Sequence, residues 1–92
     1  MNILWSPQAR ADLVDVWSHI ASDSPTAADA VENRLIDAIE GLADFPLQDR
    51  AGRSSDVREL VAARTPYIVI YRVRAGHLEI VRLWHGAREP FA

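Results

Sequence analysis

Two stretches of the chain open with Ser-Pro and continue with apolar residues at three- and four-residue steps, and no other feature restricts the fold as much. In "SPQARADLVDVWSHIASD" the stripe is Ala9, Leu13, Val16, Trp17 and Ile20. That spacing gives a helix one apolar face. Ser6 can cap the first turn with its hydroxyl, and Pro7 takes the first helical position, where its missing N–H costs nothing. "SPTAADAVENRLIDAIEGLADFP" repeats the device with Ser24 and Pro25; Ala28, Val31, Leu35, Ala38, Ile39 and Leu42 make the stripe, and Phe45 and Pro46 end it. Helices joined by so few residues form an antiparallel hairpin. Neither stripe is covered by the other helix alone, so a second layer is required.

That layer follows in the sequence. After the turn-rich loop "LQDRAGRSSD" come "VRELVAA", "PYIVIYRVR" and "HLEIVRLWH", rich in β-branched and aromatic residues. Ala75-Gly76 would join the last two as a hairpin, placing Arg74 opposite His77, Arg72 opposite Glu79, Ile70 opposite Val81 and Ile68 opposite Leu83. Alternation assigns Val69, Tyr71, Val73, Leu78 and Ile80 to the helix side. Ile68, Ile70, Arg72, Arg74, His77, Glu79, Val81, Leu83 and His85 then fall on the outer face, and a β-bulge near Arg82 would exchange assignments beyond it. "NILW" adds an edge strand. The expected fold is α+β, of order β-α-α-β-β-β, with the helical hairpin on an antiparallel sheet.

A chain of 92 residues closes one core, so residues 1–92 are expected to be a single domain. Its start has neither a basic segment nor a long apolar run, and the longest apolar stretch is "YIVIY"; neither a signal peptide nor a membrane span is expected, which suits the cytoplasm. The absence of cysteine excludes disulfides and thiolate metal sites. Charge is divided: residues 1–46 carry eight acids against two arginines, net −6, and residues 47–92 carry eight arginines against five acids, net +3. The halves present opposite fields. All ten basic residues are arginine, which suits bidentate contacts, although G/C-rich codon usage would give the same bias.

Familiar catalytic signatures are missing. No G-x-S-x-G elbow or phosphate-cradling glycine loop occurs, and the three histidines are scattered, so neither metal nor cofactor is expected. Asp15 and His19 share a helix face as an exposed ion pair would. Asp29, Glu32, Asp37 and Glu40 make either a solvated face or one that attracts a basic partner. Only the basic set Arg58, Arg64, Arg72, Arg74, Arg82, His85 and Arg88 could do more. Metal-free RNA cleavage needs a base for the 2′-hydroxyl, cations for the phosphorane and an acid for the leaving oxygen. His85 or a tyrosine could move protons while Arg58 and Arg88 hold phosphate, yet an arginine-rich sheet face is more often a binding surface.

The element order, with "W-S-P-x-A-x-x-D-L", "P-Y-I-V-I-Y-R-V" and "H-G-A-R", resembles the RelE/ParE superfamily of toxins from type II toxin–antitoxin pairs over nearly the whole chain. The resemblance implies a cognate antitoxin, ParD-like or similar, that neutralises the toxin as a hetero-oligomer. RelE-like members cut mRNA on the ribosome, whereas ParE-like members inhibit DNA gyrase. Nucleases of the family resemble "Y-R-L-V-Y" in the central strand, with a catalytic arginine after the first aromatic; that place is Ile68 here, and the family's lysines are absent. Arg88 and Arg58 resemble two of the remaining cations. The ParE-like branch is therefore the closer likeness, and direct nucleic-acid binding is not expected. In that reading Arg58, Arg72, Arg74, His85 and Arg88 supply polar contacts to the target, and Ile68, Ile70 and Trp84 apolar ones. In the RelE-like alternative Arg58, His85 and Arg88 are the catalytic set of a metal-free endoribonuclease.

Overall fold

The structure is a computed structural model that describes residues 1–45, 50–51, 56–89 and 91. In chain order these form β1 (Asn2–Trp5), α1 (Pro7–Ala21), α2 (Pro25–Asp44), β2 (Arg50–Ala51), β3 (Arg58–Val61), β4 (Tyr67–Arg74) and β5 (His77–His85). Both helices start as the Ser-Pro pairs dictate. Ser6 Oγ accepts the Ala9 N–H at 3.0 Å and Ser24 Oγ accepts that of Ala27 at 3.1 Å, while Pro7 and Pro25 open the first turns. Trp17 Nε1 donates to Asp29 Oδ1 at 2.9 Å and ties the two helices side by side. The expected stop at Pro46 and most of the loop before β3 lie outside the described residues.

The sheet order is β1-β5-β4-β3-β2. Two expectations are corrected here. β1 pairs parallel with β5, Asn2 beside His77 through Trp5 beside Ile80, so the sheet is mixed and not antiparallel throughout. Direction follows from where the helical hairpin returns the chain, which the hydropathy of "NILW" does not encode. Arg50 and Ala51, inside a segment read as loop, pair with Glu59 and Arg58 as a short fifth strand. Ala75 and Gly76 both have positive φ, 43° and 81°, the left-handed pair whose twist matches a hairpin.

The β4–β5 register agrees with the sequence at Arg74–His77 and Arg72–Glu79 and then breaks. Val81 is an extra residue: Tyr71 faces Ile80, but Ile70 faces Arg82, Val69 faces Leu83 and Ile68 faces Trp84. The expected pairs Ile70–Val81 and Ile68–Leu83 do not form. The physical gain is that Leu83 turns into the core, 3% exposed, while Trp84 turns outward. Leu35, Ile39 and Leu42 of α2 meet Val69, Tyr71, Leu78, Ile80 and Leu83 in that core, with Ala9 and Val16 of α1. Each such buried Leu or Ile stabilises the fold by about 1.5–3 kcal/mol.

Candidate functional site on the outer sheet face

Side chains opposite one another on antiparallel strands share a face, so the register sorts the candidate residues. Ile68, Ile70, Arg72 and Arg74 of β4 stand outward with Glu79, Arg82 and Trp84 of β5. His85 is corrected to the helix side: it faces Tyr67, and the two rings meet edge to face with centroids 5.3 Å apart. Arg58 faces Tyr71 and belongs to the helix side as well. The set therefore divides. Arg72, Arg74, Ile68 and Trp84 share the outer face with Arg88, which reaches it by stacking on Trp84, while Arg58 and His85 do not; Ile70 is on the outer side too but is 1% exposed, which corrects its expected role as a contact.

Outer-face charges are tied to specific carboxylates. Arg72 Nη1 lies 3.2 Å from Asp56 Oδ2, and its Nε lies 2.6 Å from Glu79 Oε1 without the N–H aimed well enough for a hydrogen bond. Arg74 Nη2 approaches the same Asp56 oxygen at 3.8 Å. Arg82 is held most firmly, donating from Nε at 2.7 Å and Nη2 at 2.9 Å to the two oxygens of Asp12 on α1. That hydrogen bonding pushes the guanidinium further toward its charged form against the opposing effect of burial. Asp12 Oδ2 also accepts the Leu83 N–H at 3.0 Å. With β1 ended at Trp5, the helix completes the β5 edge: Ser6 donates its N–H to Ile80 O and its hydroxyl to Val81 O, and Asp12 takes Leu83.

Trp84 organises the segment after β5. Its indole N–H donates to Glu89 O at 2.7 Å. Arg88 lies over the ring at 3.9 Å and Arg82 at 5.0 Å, and Phe91 meets it edge to face at 5.3 Å. Arg88 N–H donates to His85 O, which turns the chain back onto the sheet. The proton-moving groups of a nuclease fare less well. His85 Nδ1 accepts the Ala87 N–H at 3.0 Å, and burial raises the Tyr67 phenol pKa above its usual value near 10, which makes it a poorer proton donor and keeps its phenolate scarce near neutral pH. Among the described residues no ion pair joins Asp15 to His19.

Sequence reasoning missed Asp12, Asp56, Phe91 and Glu59. Glu59 is a nearly buried acid opposite Ile70 on the outer face. Asp12 left one signal, a carboxylate directly beside the apolar stripe of α1.

Comparison with known proteins decides the family. The model of the family described as ParE toxin of type II toxin–antitoxin system, parDE, matches residues 3–90. The chain belongs to the ParE toxin family. Among curated relatives, a candidate toxin of Sinorhizobium fredii, Y4kP, is 36% identical over 88 residues, covering 96% of this chain and 91% of that protein. Toxin RelE2 of Caulobacter vibrioides is 37% identical over 87 residues, covering 95% and 97%. A solved structure of the chromosomal ParDE toxin–antitoxin system from P. aeruginosa superposes with a TM-score of 0.82 at 23% identity, covering 92% of this chain and 95% of that one. The α+β architecture of this ParE-family chain is thus that of the ParDE structure. No helix among the described residues is long and apolar enough to cross a membrane.

Proposed function

We propose that this toxin inhibits DNA gyrase by binding it as a protein, in the cytoplasm and as a single domain, and that a cognate antitoxin neutralises it. The observation that carries the choice of target is Ile68. It stands on the outer face opposite Trp84, where the nuclease resemblance would need a cation, and an alkyl side chain cannot stabilise a phosphorane. Around it, Arg72 is already paired with Asp56 and Glu79 and Arg82 with Asp12, and His85 is turned to the other side of the sheet. What remains is a surface of apolar and guanidinium side chains suited to gripping a protein, with Ile68, Arg72, Arg74, Trp84 and Arg88 as contacts and the buried Ile70 beneath them.

A second reading is favoured by the name of the Caulobacter relative, RelE2. Ribosome-dependent mRNA cleavage would then use Arg58, His85 and Arg88. Primer extension on translating ribosomes separates the two: gyrase inhibition with uncut message supports the proposal, and codon-positioned cuts abolished by Arg88→Ala overturn it. Antitoxin binding is tested independently by thermal shift. An antitoxin at one hundred times its Kd should stabilise the toxin by about 2.7 kcal/mol. No shift with the product of the neighbouring small reading frame would count against neutralisation.

A further inference from the structure

Two of the proposed target contacts, Trp84 and Arg88, are tied to the opposite layer of the fold by a single carboxylate. Asp12 lies on α1 and accepts Nε and Nη2 of Arg82 at 2.7 and 2.9 Å. The guanidinium so held lies 5.0 Å from the centroid of the Trp84 ring, and that of Arg88 lies 3.9 Å from the same centroid. We infer that Asp12 is a positioning residue for the target-binding face: through Arg82 it fixes the Trp84 indole and the Arg88 guanidinium stacked on it, while its own carboxylate stays behind Arg82 and off the target.

Two routes run from the carboxylate to the indole. The first is the backbone of β5. Arg82 and Trp84 stand outward on either side of Leu83, whose side chain turns into the core. Asp12 Oδ2 accepts the Leu83 N–H at 3.0 Å as well as Arg82 Nε, so α1 pins the strand between the two outward residues. The strand needs a hold there. β1 ends at Trp5, beside Ile80, and the extra residue Val81 interrupts the ladder to β4 immediately before Arg82.

The second route is charge. Two guanidiniums beside one indole repel each other, and a cation–π contact at an exposed site is weak enough for that repulsion to matter. Asp12 balances Arg82, so Arg88, which is exposed and has no ion pair among the described residues, keeps its place over the ring. Glu89 O takes the indole N–H at 2.7 Å and Phe91 meets the ring edge to face, which removes the remaining freedom of the side chain. An aromatic contact held in advance loses little rotamer entropy when a partner docks on it.

The inference rests on the proposed role of Trp84 and Arg88 in gripping gyrase, and the test keeps the two apart. The full chain is labelled with fluorotryptophan, and the fluorine resonance of Trp84 is assigned by its loss in Trp84→Phe. Asp12→Asn keeps an acceptor for the Leu83 N–H and Arg82→Met leaves Asp12 in place for it, so both variants should fold, which thermal melts check. Both should shift the Trp84 resonance and leave that of Trp17, bonded to Asp29, where it is. Inhibition of gyrase supercoiling should weaken roughly tenfold in Asp12→Asn. The same change in a Trp84→Ala background should cost less than about twofold, because a residue that acts through Trp84 then has nothing left to position. A merely structural role would weaken both backgrounds alike. A Trp84 resonance unmoved by either variant, or equal losses in the two backgrounds, would overturn the inference. If the unaltered toxin leaves gyrase active, the proposed function fails and the Trp84 resonance alone decides the role of Asp12.

Discussion

Removing the Asp12 carboxylate should cost this fold more than any other single polar change on its surface. Asp12 accepts two hydrogen bonds from the Arg82 guanidinium and one from the Leu83 N–H, and its side chain is 13% exposed against 28% for Arg82. Bonds to charged groups contribute about 1.5–3 kcal/mol when well shielded. Solvent reaches Arg82, so about 1–2 kcal/mol is the better figure for the pair. Leaving the Leu83 N–H without an acceptor adds about 1–2 kcal/mol. Asp12→Ala should therefore destabilise by about 2–4 kcal/mol, which at about 4–8 °C per kcal/mol lowers Tm by roughly 8–32 °C. A domain of this size has only about 5–14 kcal/mol to lose. Urea melts of Asp12→Ala, Asp12→Asn and the double variant with Arg82→Ala separate the contributions. Asparagine keeps an acceptor for Leu83 and loses the charge, so its cost should be about half that of alanine. A loss below about 0.5 kcal/mol for alanine, or equal losses for the two variants, would refute the reasoning.

Three further outcomes follow from the geometry. Burial raises the Tyr67 pKa, so the folded state favours the neutral phenol: its contribution is fully present below pH 10 and is lost as pH rises past 10 through the folded pKa, which a pH series of urea midpoints with Tyr67→Phe as control should show. Arg64 has φ 61°, and Arg64→Gly should raise stability by about 0.5–1 kcal/mol in the same melts, because the strain exceeds the entropy glycine adds to the unfolded chain. Ser6→Ala removes both the α1 cap and the hydroxyl bond to Val81 O, and should cost about 1–2 kcal/mol; a change within 0.5 kcal/mol would show that solvent replaces both.

How far the sequence can be read depends on what each residue type encodes. Ser6-Pro7 and Ser24-Pro25 specify helix starts through their own hydrogen-bonding and φ preferences, and both starts stand where the residues place them. Ala75-Gly76 fixed the hairpin register for the four residues nearest the turn. Beyond them the run Ile80, Val81, Arg82, Leu83, Trp84 is apolar or amphipathic at every position, so period-two alternation cannot say where an extra residue enters. The bulge then reverses Leu83 and His85. Arg72–Glu79 was legible because partners across a known turn are countable, whereas Asp12–Arg82 joins residues separated by 70 positions and depends on how α1 crosses the sheet edge. Of the candidate site, the outward Ile68, Ile70, Arg72 and Arg74 were legible by alternation alone. Trp84 and Arg88 come together only through the turn after β5, which the sequence marks with Gly86 but does not aim.

DNA supercoiling by purified gyrase, measured with increasing toxin and then with antitoxin added back, tests the central claim most directly. The expected result is loss of supercoiling at stoichiometric toxin and its recovery on adding antitoxin. Full gyrase activity in excess toxin, from a preparation that cuts mRNA on translating ribosomes, would contradict it.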